Sequence, residues 1–416
     1  MGKAGDDSGN SPINWQFIPI NNQDTIMKNL LNGFQKNLTI LLDSRNQYRK
    51  LQQHLDKQPV GFPSTFNGIE LDLLKELFTM DEASAALHLN YRFELFETIF
   101  ERAKPDGYTE KALQDLLDAM EKKGAIFVRR DPDGTAYYAL HPYLVGMFEM
   151  QLKRLTPALY LKTRTYMLQK FAFEYLSSEI LQMRVIPVQK SISTIQHIAT
   201  YDQIREIVEQ AKDRISIAEC ICRRGKDSIG KPCKATDMRE ICIGFREFHD
   251  SYVRHNWGRS ISKEEAFEIL DKNEKEGLVL MPSNMQEPHF VCSCCDCCCG
   301  VLEMLNLLPS PAKKVCNNYE SELNPDSCKG CGQCLKRCPT QAIKNKGKHA
   351  IAINLKRCIG CGLCAASCKS GAIQMKQKSE KFLPPKNHED LYDFLMEHKK
   401  NAIEKIYHLS RTFLDV

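Results

Sequence analysis

The chain has 416 residues, of which 43% are hydrophobic and 26% are charged, enough for two or three domains with hydrophobic cores. Its net charge of +5 is too small for this length to require a nucleic acid or an anionic membrane as partner. The first ten residues are polar, and no stretch approaches the roughly 18 apolar residues that a membrane span needs, so we expect a cytoplasmic protein without a membrane span.

All nineteen cysteines lie between Cys220 and Cys368. Their CxC, CC and CxxC runs place neighbours too close together for routine disulfides and suit metal binding better. The sequence therefore predicts a cysteine-free N-terminal half and a metal-binding C-terminal half in a reducing compartment.

The cysteine-free half begins with a predicted N-terminal arm, 1–65, that is partly helical. Residues 66–150 are predicted to form a winged-helix-like domain, because four helices, at 68–79, 81–89, 93–103 and 109–123, precede a hairpin. The hairpin strands 125–129 and 135–139 flank the turn 131–134, whose Asp-Pro-Asp-Gly sequence is typical of hairpins. A helical connector, 151–215, follows with helices predicted at 151–173 and 201–214.

The charge of the winged-helix-like domain favours docking of a protein over binding of DNA. The helix that would enter the major groove carries four acidic and three basic residues: Glu110, Asp115, Asp118 and Glu121 against Lys111, Lys122 and Lys123. The hairpin supplies Arg129 and Arg130 but also Asp131 and Asp133. DNA-binding elements normally concentrate Lys and Arg, so nucleic acid is the disfavoured partner.

Residues 216–308 are predicted to form a cysteine-rich metal-binding domain. Ser262 begins a helix that ends at Gly277, strands follow at 278–281 and 289–291, and another helix starts at Val301. One or two further iron–sulfur clusters are the favoured occupants, a structural zinc or multi-metal thiolate site is the second alternative, and metal-free redox dithiols are the third. The candidate ligands are Cys220, Cys222, Cys233, Cys242, Cys292, Cys294, Cys295, Cys297, Cys298 and Cys299.

After a predicted linker, 309–326, a CxxCxxCxxxC motif occurs twice in residues 327–376, with an offset of 30 residues. The two runs are Cys328, Cys331, Cys334, Cys338 and Cys358, Cys361, Cys364, Cys368. Three thiolates in one loop bind three corners of a cubane, and the repeat favours two [4Fe-4S] clusters over zinc.

The repeated motif resembles two-cluster bacterial-type ferredoxins, although Lys369 stands where the family has a second proline. In that family the fourth cysteine of each run binds the other cluster. The resemblance implies that one cluster is bound by Cys328, Cys331, Cys334 and Cys368. It implies that the other is bound by Cys358, Cys361, Cys364 and Cys338.

A wider resemblance is carried by residues 184–188, Cys220-Ile-Cys222, Gly230-x-x-Cys233, the 258–266 segment and the cysteine run from Cys292 to Cys299. These are similar to uncharacterised winged-helix-plus-iron–sulfur proteins of anaerobic bacteria and archaea, a resemblance that implies no known reaction. The last segment, 377–416, is predicted to be a C-terminal amphipathic helix.

The sequence thus predicts an α+β multidomain protein that transfers electrons. No dinucleotide, P-loop or nucleophile-elbow motif is found, so we expect an electron-transfer subunit of an oxidoreductase complex more than a stand-alone enzyme. It would relay low-potential electrons between a soluble carrier, for example a soluble ferredoxin, and a partner redox-enzyme subunit. The alternatives are a redox-responsive DNA-binding regulator that uses the winged helix and a reductase with its active site in the central cysteine domain.

Overall fold

A computed structural model of the chain describes residues 46–192, 195 and 197–414, with side chains up to Arg411. Helices are mixed with four small antiparallel sheets, so the fold is α+β, as the sequence predicts. Most of the predicted N-terminal arm, residues 1–45, lies outside the described residues, and its remainder contains helix α1 (Gln47–Asp56).

Residues 66–150 combine short helices with a three-stranded sheet. The hairpin strands β2 and β3 pair as predicted, and β1, which was not predicted, pairs with β3. Thr79 and Thr109 begin α3 and α5 by accepting hydrogen bonds from the backbone N–H groups of Glu82 and Ala112. The helices and hairpin are confirmed, whereas the winged-helix interpretation stays a prediction. The elements are α2 (Ile69–Leu77), α3 (Met80–Ala85), β1 (Glu94–Leu95), α4 (Phe96–Ala103), α5 (Glu110–Lys122), β2 (Ile126–Arg130) and β3 (Ala136–Leu140).

The connector contains less helix than its sequence predicts. Its first long helix begins at α6 (Pro157–Tyr166), continues through a π-helical turn (Met167–Phe171) and ends with α7 (Ala172–Ser177). It starts six residues later than predicted because Thr156 caps it and Pro157 occupies its first position. The second helix is shortened to α8 (Ile204–Gln210).

The central domain is built on a five-stranded antiparallel sheet with the order β6-β4-β5-β8-β7. Ser262 caps α11 through the N–H of Glu265, and Gly277 ends it in a left-handed conformation, as predicted. Strand β8 extends past its predicted end and includes Cys292 and Cys294. The elements are β4 (Ile215–Glu219), α9 (Ile221–Ser228), β5 (Glu240–Phe245), α10 (Glu247–Arg254), β6 (Gly258–Ser260), α11 (Lys263–Glu276), β7 (Val279–Pro282), β8 (Phe290–Cys294) and α12 (Gly300–Asn306).

The C-terminal cysteine motifs lie between two two-stranded sheets. Strand β9 falls inside the predicted linker and pairs with β12, while β10 and β11 form a hairpin between the two motifs. A short helix begins one residue before the third cysteine of each CxxCxxC run. The elements are β9 (Tyr319–Leu323), α13 (Gln333–Arg337), β10 (Ile343–Lys346), β11 (His349–Ile353), α14 (Leu363–Ala366) and β12 (Ile373–Gln377).

The tail is two helices, α15 (His388–Glu397) and α16 (Ala402–Leu414), and not the single helix that was predicted. The break has a local cause, because the side chain of Asn401 accepts the N–H groups of Ile403 and Glu404 and thereby begins a new helix.

One hydrophobic core extends through the described chain from Leu51 to Leu409. A smaller cluster, which contains Phe127 of β2 and Phe248 of α10, joins the hairpin to the central sheet. The predicted segments therefore pack as one continuous body. None of the described helices has the length and apolar character needed to cross a membrane.

Candidate metal centres

The first set of ferredoxin cysteines, here called the outer set, lies near the surface. Cys331 is exposed and Cys334 is buried. Cys334 packs in one cluster with Cys328 and Cys368, and burial raises the pKa of its thiol, with a further increase from the thiols of Cys328, Cys331 and Cys368. The outer set is Cys328, Cys331, Cys334 and Cys368.

The second set, here called the inner set, surrounds a small cavity of about 20 Å³. Three of its members are buried, and the hydroxyl of Ser321 lies 3.2 Å from the sulfur of Cys364. Each set therefore brings three cysteines of one motif together with the fourth cysteine of the other motif. The inner set is Cys338, Cys358, Cys361 and Cys364.

The backbone around both sets fits a bound cluster. The N–H of Ala342 donates to the sulfur of Cys338 (3.1 Å), and the N–H of Ile373 donates to that of Cys368 (3.4 Å), which favours thiolates. Gly360 has a φ of +71°, and a Cβ there would lie 2.4 Å from the carbonyl oxygen of Tyr319. Glycine is therefore required for the inner loop to pack against the protein.

The ten central cysteines divide into two groups. In the first, the four-thiol group, Cys233 comes from the loop after α9 and the others from the turn after β8. Four of the sulfur–sulfur distances are 3.5–3.7 Å. A tetrahedral ion with metal–sulfur bonds of about 2.3 Å separates its sulfur ligands by about 3.8 Å. The four-thiol group is Cys233, Cys295, Cys297 and Cys298.

The second group, the cavity cysteines, lines an internal cavity of about 100 Å³. Cys242 and Cys292 are directly opposite in β5 and β8, and Cys294 lies on the same face of β8 as Cys292. The others stand at the start of α9 and α12 and contact this face of the sheet. The cavity cysteines are Cys220, Cys222, Cys242, Cys292, Cys294 and Cys299, and Cys295 and Cys298 of the four-thiol group line the same cavity.

A buried arginine lies between the two groups. Arg223 is 1% exposed, donates to the carbonyl oxygen of Ser293 (3.0 Å), and has no partner for its Nε and Nη2 atoms. Burial disfavours its charge, but the thiolates of Cys220 and Cys295 raise the pKa of Arg223 above its ordinary value. The arginine therefore supplies positive charge to both groups.

The electrostatics favour one thiolate in each group. A hydrogen bond with Cys222, together with Arg223, lowers the pKa of Cys220 to about 6, although burial opposes the shift. In the four-thiol group, hydrogen bonding with Cys298 and the charge of Arg223 lower the pKa of Cys295 to about 5. A thiolate is the form that binds metal.

Sequence reasoning gave no role to two residues of this region. Arg223 directly follows the CxC pair, and a basic residue beside clustered cysteines was the available signal. Nothing in the sequence indicated a role for Glu149, because it belongs to the cysteine-free half and is brought to the cavity only by folding. Burial raises the pKa of Glu149 to about 7, and the N–H of Gly146 donates to it (2.8 Å). The remaining cysteine, Cys316, lies outside all four sets, and its carbonyl oxygen accepts the N–H of Val185.

Comparison with known proteins identifies one segment. No curated protein and no solved structure matches the chain. Residues 321–375 match the family model of a 4Fe-4S dicluster domain. The chain therefore contains an iron–sulfur domain of this type, which begins within β9 and includes both cysteine motifs.

Proposed function

We propose that the protein transfers electrons between a soluble carrier and a partner oxidoreductase through two [4Fe-4S] clusters. The outer set would bind one cluster and the inner set the other. The observation that carries this proposal is the difference in exposure between the sets: the outer set reaches the surface at Cys331, whereas Cys361 of the inner set is buried against the body. Electrons can enter at one cluster and leave through the other.

The charge around the outer set supports an acidic carrier. Residues 327–376 contain ten Lys and Arg residues and no Asp or Glu, so this segment has a net charge of +10. Because the net charge of the whole chain is +5, the remaining residues have a net charge of −5. Lys329 directly follows Cys328 of the outer set. The side chain of Lys348 also lies close to the outer loop, 3.7 Å from where a Cβ on Gly332 would be. Positive charge at an exposed cluster increases the association rate of an anionic partner.

The inner set is in direct contact with the central domain and the segment before it. The N–H of Val188 donates to the carbonyl oxygen of Cys361 (3.1 Å), and Arg337 packs against Gly277 at the end of α11. These contacts support an exit path through the cysteine-rich domain rather than through solvent.

For the four-thiol group, the short sulfur–sulfur distances favour a single ion, zinc or iron, over a cluster. Such an ion would link the loop after α9 to the turn after β8, which are about sixty residues apart, and would stabilise the fold. A single structural ion is therefore preferred over a cluster for these four residues.

The regulator alternative is disfavoured by the contacts of the hairpin arginines. Arg130 makes two hydrogen bonds of 2.8 Å to Glu121, and Arg129 lies 3.2 Å from Glu389 of α15 while its guanidinium covers the ring of Tyr137. Side chains held in this way are not presented to phosphates.

The test is electron transfer from an acidic [2Fe-2S] ferredoxin, reduced with dithionite, to the anaerobically purified full chain in a stopped-flow spectrometer. We expect a second-order rate that falls as salt is raised from 0.05 to 0.5 M, because screening weakens attraction between opposite charges (Debye length about 10 Å at 0.1 M). The double variant Lys329→Glu and Lys348→Glu should lower the rate about tenfold at low salt. Lys50→Glu, in α1, is the matched control. A rate unaffected by salt and by both substitutions in the module would contradict the proposed carrier.

A further inference from the structure

The cavity beside the central sheet is large for a protein interior. Packed protein interiors leave few voids larger than a water molecule. One water requires a cavity volume of roughly 10–15 Å³. The cavity of about 100 Å³ therefore has room for several water molecules. Its lining combines the cavity cysteines, Cys295 and Cys298 with apolar side chains such as Met167, Phe171 and Phe248. Polar side chains are a minority of the lining, and Glu149, Thr163 and Arg164 are among them. The cavity therefore suits an occupant that bonds to sulfur.

The sulfur atoms of the cavity cysteines are arranged differently from those of the four-thiol group. Among the residues that the structure describes, the four-thiol group is the one set of three or more possible ligands whose atoms all lie within 4.8 Å of one another. The cavity cysteines form a row of neighbours, Cys242 with Cys292, Cys292 with Cys294 and Cys294 with Cys299, in which no three sulfur atoms all lie within 4.8 Å of one another. The outer and inner sets share this wider spacing. Wider spacing is what a cluster requires, because each thiolate binds a different iron.

Hydrogen-bond donors converge on the same cavity. The backbone N–H groups of Arg223 and Gly300 lie beside the sulfur atoms of Cys220 and Cys222, respectively, and favour their thiolate forms. The Nε and Nη2 atoms of Arg223 are buried donors without a partner, an arrangement that is costly unless an anion is nearby. Donors to sulfur and a buried cation stabilise an anionic iron–sulfur cluster.

We propose that the cavity cysteines hold a third, polynuclear iron–sulfur cluster inside this cavity, separate from the single ion of the four-thiol group. Soft thiolates select iron–sulfur clusters, and six of them exceed the four that one tetrahedral ion takes. Arg223 lines the cavity, and its charge acts on thiols of both groups. The central domain thus contains two chemically different centres.

The first test uses the unaltered full chain, purified anaerobically. Two [4Fe-4S] clusters contain about eight acid-labile sulfides, and a third cluster adds about four, whereas a single ion adds none. We expect about twelve sulfides and one further metal ion per chain. A sulfide content of eight, with the central domain holding only zinc, would overturn the proposal and leave the electron-transfer proposal intact.

The second test separates the two centres with matched double variants of the full chain. Cys242→Ser with Cys292→Ser should remove about four sulfides and a set of EPR signals while the single ion is retained. Cys233→Ser with Cys297→Ser should remove the single ion and leave the sulfide content unchanged. Loss of the same metals in both variants would show one shared site and overturn the proposal.

A single conservative substitution, Arg223→Lys, tests the proposal if the double variants do not fold. Arg223→Lys keeps the positive charge and removes the donors that lie between the two groups. We expect changed EPR g values and a shifted midpoint potential for the third cluster only, with the signals of the outer and inner clusters unchanged. Identical spectra and potentials before and after this substitution would contradict a cluster beside Arg223.

Discussion

The guanidinium of Arg357 donates a hydrogen bond of 3.1 Å to the carbonyl oxygen of Leu308 and thereby joins the iron–sulfur domain to the end of α12. The same side chain donates to Thr340 (2.6 Å) and Asn306 (3.3 Å), and Asn306 donates to Pro339 (3.0 Å). Because Cys299 is the N-cap of α12, this contact connects the inner set to the central cysteines through one short helix.

Arg357→Ala should therefore weaken the contact between the iron–sulfur domain and the end of α12. It leaves the carbonyl groups of Leu308 and Thr340 without a donor, and an unsatisfied buried polar group costs about 1–3 kcal/mol. We expect a lower thermal midpoint and faster amide hydrogen exchange in residues 300–309. Lys346→Ala, at an exposed position of β10, is the control. Unchanged exchange in residues 300–309 would show that the junction does not depend on Arg357.

The fourth ligand of each cluster gives a second prediction. Cys338 lines the same cavity as Cys358 and Cys364, although it belongs to the first motif in the sequence. Cys338→Ser should alter the EPR signal of the inner cluster, and Cys368→Ser should alter that of the outer cluster. Reference spectra come from Cys361→Ser and Cys331→Ser, which affect one cluster under any assignment. If the spectrum of Cys338→Ser matches that of Cys331→Ser, each cluster takes its four ligands from one motif.

Local signals were sufficient for several elements. Ser262 and Gly277 define α11 because a cap and a left-handed glycine act within a few residues of the helix ends. The Asp131 to Gly134 turn specifies its hairpin in the same way. The cysteine motifs were recognisable because a cluster-binding loop requires fixed spacing.

The division of the central cysteines was not predictable, because it depends on tertiary structure. Cys294 and Cys295 are adjacent in the sequence and both line the cavity, yet Cys294 lies in β8, whereas Cys295 follows the strand and contacts Cys233. The pairing of Cys242 with Cys292 depends on the register of β5 and β8, which joins strands fifty residues apart. Nothing in the sequence near Glu149 indicated that it would reach the same cavity.

Buried histidines predict a loss of stability in mild acid. Burial, with a smaller effect of His289, lowers the pKa of His141 to about 3, and burial also lowers that of His388 well below its usual value. Both are neutral in the folded protein and protonate near pH 6.5 when unfolded. The free energy of unfolding should therefore fall as pH decreases below 6.5, by at most about 1.4 kcal/mol per pH unit for each histidine.

Substitution of one histidine tests whether the buried histidines cause the loss of stability at lower pH. His141→Gln should reduce the pH dependence of the unfolding midpoint between pH 7 and 5.5, since one group no longer takes up a proton on unfolding. His398→Gln, on the exposed end of α15, should leave the dependence unchanged. Iron content is measured at each pH so that cluster loss is separated from unfolding. A wild-type midpoint that does not change over this range would contradict the prediction.

The hairpin arginines provide the last prediction, which separates stability from DNA binding. Arg130 and His255 both contact the buried carboxylate of Glu121, which links the hairpin to the central domain. Arg130→Ala should lower the free energy of unfolding by about 1–3 kcal/mol, because it removes charged hydrogen bonds from a buried group. Arg92→Ala, which breaks an exposed pair with Asp393, should cost less than about 1 kcal/mol. In a fluorescence titration at physiological salt, the wild type should show no sub-micromolar affinity for duplex DNA. Tight binding that Arg130→Ala abolishes without loss of stability would instead establish the regulator alternative.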